Sequence, residues 1–149
     1  MATNSLPSLP CFCATLRRTA RSLTQFYEDA LRPFGFHSTQ FTILQALDFV
    51  GEATQGRLGE ILALDSTTLT RTLAIMKRQG WIAERRGQDR RERWLHIAPR
   101  GRKAFEAALP AWQAVQEKLR AGLNKRDWDE FQTLANRVTD LALMQGDKA

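Results

Sequence analysis

Apolar residues recur at helical spacing from the N-terminal end of the chain. Leu16, Ala20, Leu23, Tyr27, Ala30, Leu31 and Phe34 form one stripe, which predicts an amphipathic helix of about twenty residues. Pro10 suits its first turn, and Pro33 with Gly35 ends it. Ser38 can cap a second helix carrying Phe41, Leu44 and Leu47. Periodicity then lapses between Gly51 and Gly56, leaving room for a short strand. Arg57 to Leu62 reads as a short helix, with Leu58, Ile61 and Leu62 apolar. After Ala63-Leu64-Asp65, the run Ser66 to Gln79 repeats apolar residues at Leu69, Leu73 and Met76, with Asp65 as N-cap and Gly80 as terminator. Two short helices joined by so few residues predict a helix-turn-helix. Trp81 to Arg86 and Arg93 to Ile97 are strand-like around the polar turn Gly87 to Arg91, a hairpin with a charged tip. Pro99 opens a helix with Phe105, Leu109, Trp112 and Leu119, in which Pro110 predicts a kink. Asp127 can cap a last helix bearing Trp128, Phe131, Leu134, Val138 and Leu141.

This order predicts a mainly α (α+β) chain. Its middle, residues 38–98, is a winged helix-turn-helix core with a two-stranded wing. Residues 1–37 and 99–149 are flanking helices. Those flanks hold more large apolar side chains than one small core can cover, from Leu16, Leu23, Phe26 and Tyr27 at one end to Trp128, Phe131, Leu134 and Leu141 at the other. The economical solution is a homodimerisation region built from both chain ends, which sets two reading heads side by side.

Composition changes the picture only through position. A chain of 149 residues with 43% hydrophobic and 26% charged residues is ordinary for a globular protein. No apolar run approaches the ~18 residues of a membrane span. The opening MATNSLPSLP lacks both a basic start and an apolar block, so neither a signal peptide nor a membrane partner is expected and the expected location is cytoplasmic. The net charge of +6, however, is unevenly placed. Between Arg71 and Lys103 stand eleven Lys or Arg against three acidic residues, a local net of +8, while the other 116 residues hold 11 against 13, a net of −2. A solvated basic face gives such a number, and so does a polyanion-binding surface. Pattern decides between them.

A helix that reads the major groove offers short polar side chains and Arg near its N-terminus. Ser66, Thr67, Thr68, Thr70 and Arg71 supply that set while Leu69, Leu73 and Met76 face inward. The hairpin tip carries Arg90 and Arg91, and Arg on a narrow wing suits the negative potential of the minor groove. Asp89, two residues before Arg91, can hold that side chain extended.

With these residues in place, the segment LGEILALDSTTLTRTLAIMKRQGWIAERRGQDRRERWLHIAPRG resembles the MarR family of winged helix-turn-helix regulators. The diagnostic parts are the LDSTTLTR helix, the KRQGWI exit, and the DRR wing followed by PRG; the likeness runs the length of the chain. The resemblance implies a homodimeric transcription factor on a pseudo-palindromic double-stranded DNA operator, usually a repressor that lets go when a small ligand or an oxidant alters the spacing of the two heads. By position, it implies DNA contacts at Ser66, Thr67, Thr68, Thr70, Arg71, Lys77, Asp89 and Arg91. Ala98 departs from the Thr that the family often has there, which weakens a helix cap.

Two switches are open. By family analogy, a small aromatic effector would meet Phe12, Leu16, His37, Phe41 and Trp112, although an aromatic stripe is more often core than pocket. The alternative is oxidation. Cys11 and Cys13 are i and i+2, about 200° apart on a helix, so they are not expected to bond each other or share a metal. Cys13 resembles the sensing cysteine of the organic-hydroperoxide branch of the family, whose thiol is flanked by tyrosines. Tyr27 matches one of those, while Arg17 and Ser38 replace others. A small buried hydrophobe is the competing reading of Cys13. Enzyme chemistry has no support: the chain shows no glycine-rich phosphate loop, no Cys/His metal spacing and no Ser/His/Asp set. His37 and His96 are too distant to share a metal. No catalytic residues, metal or cofactor are expected.

Overall fold

The computed structural model describes residues 6–89 and 91–146. Its elements are α1 (Phe12–Leu31), a 3-10 turn (Arg32–Phe34), α2 (Ser38–Val50), β1 (Glu52–Thr54), α3 (Gln55–Leu62), α4 (Ser66–Arg78), β2 (Ile82–Arg86), β3 (Arg93–Ile97), α5 (Pro99–Gly122) and α6 (Lys125–Gly146). The chain divides into two compact units, residues 1–112 and 113–149. The first unit therefore takes in α1 and the start of α5. The reason is packing: Leu31 from α1 and Phe105 and Ala108 from α5 are buried in one cluster with Leu44, Leu58, Leu73 and Leu95 of the helix-turn-helix and sheet.

Several ends differ from the sequence reading, and at α2 and α6 a neighbouring group satisfies the backbone. Pro10 lies outside α1, and Cys11 is its N-cap in an extended conformation. Cys11 is thus not helical, and the helical angle assumed between the two cysteines does not apply. Ser38 is the first residue of α2 rather than its cap, which is His37. Gln40 Oε1 accepts from the His37 N–H at 2.9 Å, and Glu28 Oε1 accepts from the Ser38 N–H at 2.7 Å. In the second unit Asn124, not Asp127, caps α6. The two share reciprocal hydrogen bonds, Asp127 N–H to Asn124 Oδ1 at 3.0 Å and Asn124 Nδ2 to Asp127 Oδ2 at 2.8 Å. Helix α5 continues through Pro110.

The two-stranded wing is the open end of a three-stranded antiparallel sheet of order β1-β3-β2. Short β1 pairs with β3 in the register Ala53↔Leu95, and β2 pairs with β3 as Glu84↔Leu95. Ala53, Leu95 and Ile82 face the core, whereas Glu52, Arg85 and Trp94 share the other face. Gly101 of α5 packs so closely on the turn before β2 that a Cβ there would stand 1.9 Å from the Trp81 carbonyl oxygen. That carbonyl also accepts from the Ala98 N–H at 2.9 Å. The glycine of the PRG motif is therefore a packing requirement, and Ala98 is buried beside it.

Candidate nucleic-acid interface

Helix α4 begins where its sequence says it should. Asp65 Oδ1 accepts from the Thr68 N–H at 2.8 Å, and its Oδ2 accepts from the Thr68 hydroxyl at 2.6 Å. Those bonds, the side-chain one first, hold the Asp65 carboxyl below its ordinary range. The helix-turn-helix corner before it needs a left-handed residue, supplied by Ala63 at φ 49°. Leu69, Leu73 and Met76 are buried, which turns Thr67, Arg71, Ala74 and Arg78 outward as one exposed row. Ser66 and Thr70 lie on one shoulder of the row and Thr68 on the other.

The predicted contact residues consequently separate. Ser66, Thr67, Thr70 and Arg71 share an open surface at the N-terminal half of α4. Thr68 spends its hydroxyl proton on the cap. Lys77 is ion-paired with Glu84 of β2, which Arg93 also approaches at 3.6 Å. The Lys77 bond is the main reason that the Glu84 carboxyl lies below its usual range. Arg78, on the open row, was not singled out from sequence; its helical offset from Thr67 and Arg71 is the signal that identifies it. Gln55, first residue of α3, was likewise missed, and its Nε2 donates to the Thr70 hydroxyl at 2.7 Å. Only the pairing of the two helices brings those residues together.

At the wing, Gly87 N–H donates to the Glu92 carbonyl at 3.0 Å and closes the hairpin. Asp89 Oδ1 accepts the backbone N–H of Arg91 at 2.9 Å. The sequence predicts that Asp89 holds the Arg91 side chain; instead it shapes the turn through the Arg91 backbone. Among the described residues, no carboxylate pairs with the exposed guanidinium groups of Arg86 and Arg91. Arg90 lies outside the described residues. Nearer the root, Arg85 crosses the sheet to Glu52, with an Nε to Oε2 bond of 2.7 Å, and its guanidinium stands 5.6 Å from the Trp94 ring centre. This bond lowers the Glu52 carboxyl and raises the Arg85 guanidinium. The described part of the basic segment thus holds two populations: Lys77, Arg85, Arg93 and Arg102 are tied to Glu84, Glu52 and Asp48, while Arg71, Arg78, Arg86 and Arg91, with Arg100 and Lys103 at the start of α5, are exposed and outside any ion pair among the described residues.

The other sequence-predicted residues do not gather into one place. Phe41 is 1% exposed and stacks in the core, its ring centre 5.0 Å from Phe105 and 6.3 Å from Trp112. His37 is a surface residue 3.1 Å from Glu28. Burial alone would push the Glu28 carboxyl up, but hydrogen bonds from Ser38 and His37 outweigh it and hold the group below its ordinary range. Phe12 is 65% exposed, and the helical rise along α1 from it to Glu28 is ~24 Å. Leu16 is half-buried. Cys11 and Cys13 are both exposed, which disposes of a buried-hydrophobe role for Cys13 within one chain. Tyr27 packs against the core and burial raises its hydroxyl pKa. It lies ~21 Å along α1 from Cys13, too far to orient that thiol within one chain.

Known proteins place this geometry. The sequence model of the MarR family matches residues 34–92, from the end of the 3-10 turn to the wing tip. The transcriptional regulator MosR of M. tuberculosis, in a crystal structure in complex with DNA, is 34% identical, with a TM-score of 0.81 over 90% of this chain and 97% of that one. An uncharacterised HTH-type transcriptional regulator of Bacillus subtilis (strain 168), YwoH, is 28% identical over 119 residues, 80% of this chain and 87% of that protein. A mutant MarR from E. coli complexed with operator DNA superimposes with a TM-score of 0.76 over 84% of this chain and 91% of its own, and at 19% identity speaks for the fold alone. With a helix-turn-helix, an Arg-bearing wing and a relative of this identity along nearly its whole length, the chain belongs to the MarR family of winged-helix transcriptional regulators.

Proposed function

We propose that the protein is a homodimeric, sequence-specific DNA-binding repressor, with α4 in the major groove and the β2–β3 wing in the adjacent minor groove of each half of a pseudo-palindromic operator. The observation that carries the reading is the sorting of the basic residues. Arg71 and Arg78 on α4 and Arg86 and Arg91 on the wing keep their guanidinium groups open, while Lys77, Arg85, Arg93 and Arg102 are held in ion pairs. Domain roles follow, with residues 38–98 reading DNA and residues 1–37 and 99–149 contributing to the dimer. Dimerisation is supported by apolar side chains left open on α1 and α6, among them Phe12, Phe131, Leu134 and Leu141. Titration of a duplex library at increasing salt tests the reading. A steep loss of affinity with salt and enrichment of a two-fold symmetric site are expected; binding insensitive to salt overturns it.

Two release signals follow from the sequence, a small aromatic ligand or oxidation at Cys13. A specific observation favours the second: Cys13 and the cap residue Cys11 are exposed at the start of α1, whereas among the aromatic-ligand candidates Phe41 is buried against Trp112 in the core and Phe12 is exposed. Peroxide should therefore weaken operator binding by the parent protein and not by the Cys13→Ser variant. Equal release of both sinks the redox reading and leaves the ligand one.

A further inference from the structure

The four hydroxyls at the start of α4 are not equivalent. Thr68 donates its proton to Asp65, and Thr72, one turn further, donates its own to the Thr68 carbonyl at 2.9 Å. The same back-bonding to the carbonyl four residues earlier occupies Thr15, Thr19, Ser22, Thr42, Thr133 and Thr139. Thr70 differs. Its oxygen accepts a hydrogen bond from the side-chain amide of Gln55 at 2.7 Å, and among the described residues its own proton has no acceptor. A hydroxyl carries one donor and two acceptor lone pairs. Once the amide of Gln55 occupies a lone pair on the protein side, the proton and the remaining lone pair lie away from α3, on the exposed surface that Thr70 shares with Ser66, Thr67 and Arg71, and the accepted bond strengthens the hydroxyl as a donor.

We infer that Gln55 is a specificity-positioning residue. By taking up one lone pair of the Thr70 hydroxyl and polarising its proton, it favours a base edge that accepts there, thymine O4, guanine O6 or a purine N7, over an exocyclic amine of cytosine or adenine. The inference rests on the DNA-reading role proposed above for α4. It adds a residue from the preceding helix that sets the polarity of a reading atom without touching the base. The physical basis is ordinary: major-groove edges differ in their order of donors and acceptors, and an unloaded hydroxyl would serve either kind equally. A hydrogen bond accepted from Gln55 takes up one lone pair and polarises the hydroxyl as a donor, which tilts a tolerant contact toward acceptors.

The test is a duplex selection with the parent protein, followed by dissociation constants on the selected site and its single-base variants. The parent should show one position in each half-site where an acceptor base is preferred roughly two- to tenfold. Gln55→Leu and Thr70→Val should each abolish that preference, and the double variant should lose nothing further, because both remove the same interaction. Thr70→Ser, which keeps the hydroxyl, should restore it. Gln55→Glu places an acceptor against Thr70, draws its proton inward and turns a lone pair out; it should invert the preference toward an amino-bearing base while lowering affinity on every duplex. A merely structural link between α3 and α4 would lower affinity or melting temperature without changing base preference. The proposal is overturned by a Gln55→Leu variant that keeps the parent's preference or loses the same factor on all duplexes. A parent protein that selects no sequence overturns the DNA-reading role itself, and the two failures are thereby distinguishable.

Discussion

Helices α4 and α6 carry the same kind of sequence pattern and meet opposite fates. In α4 the apolar stripe of Leu69, Leu73 and Met76 is at most 2% exposed, and the polar face stands open with its Thr and Arg residues. In α6 the stripe itself is open, with Leu134 49% and Leu141 61% exposed. An amphipathic period states that one face wants cover. It does not state whether the cover comes from the same chain. The first helix is finished as a single-chain object and offers its polar face to a ligand. The second is unfinished, and its apolar face is the part on offer.

The largest effect belongs to the closed stripe. Leu73→Ala should cost ~2–5 kcal/mol of stability, because the cavity forms within a packed core, and chemical denaturation should show that loss undiminished at every protein concentration. A concentration-dependent loss would place part of the α4 stripe at a subunit interface and erase the contrast. Next, on the open face of the same helix, Arg71→Ala should leave the melting temperature within a degree or two while lowering discrimination between operator and random duplex by ~1–3 kcal/mol. An equal loss on all sequences would assign Arg71 to phosphate.

The unfinished stripe should respond in the reverse manner. Leu134→Asp should weaken self-association roughly tenfold, read by sedimentation across a dilution series, while the circular dichroism of the helix-turn-helix unit persists. Unchanged association would show that another surface joins the subunits. The smallest effect is at the N-terminus of α2, where Glu28 secures the backbone. Its carboxyl is below the ordinary range in the folded chain, so its contribution is present at neutral pH and is lost as pH falls below about 4.5 and through the lowered folded value. Glu28→Gln should cost about 1 kcal/mol at pH 7, and melting curves of parent and variant should converge in acid. A gap that widens in acid would reverse the sign.

The helix-turn-helix was legible because its signals are local. Asp65 caps α4 through a residue three positions away, Gly80 ends the turn that follows, and the 3.6-residue repeat of Leu69, Leu73 and Met76 needs no distant partner to be seen. The charged hairpin was legible for the same reason. The exact caps of α1, α2 and α6 were not, since Cys11, His37 and Asn124 compete with equally plausible neighbours at a distance of one to three residues. At α2 the winner is set by Glu28, which arrives from another element.

Charge shows the limit most plainly. Counting along the chain found a net of +8 between Arg71 and Lys103, and by chemistry alone every cation in it is a candidate for DNA. Folding places Glu52 of β1 against Arg85, Glu84 of β2 against Lys77, and Asp48 of α2 against Arg102. Separations of 7 to 54 residues carry those pairings, and no period in the sequence encodes them. The link from Gln55 to Thr70 is of the same kind, fifteen residues long in sequence and 2.7 Å in space. Local order is written in short-range backbone and side-chain preferences. Which charges and hydroxyls remain available depends on what the rest of the chain lays beside them, and that is a property of packing.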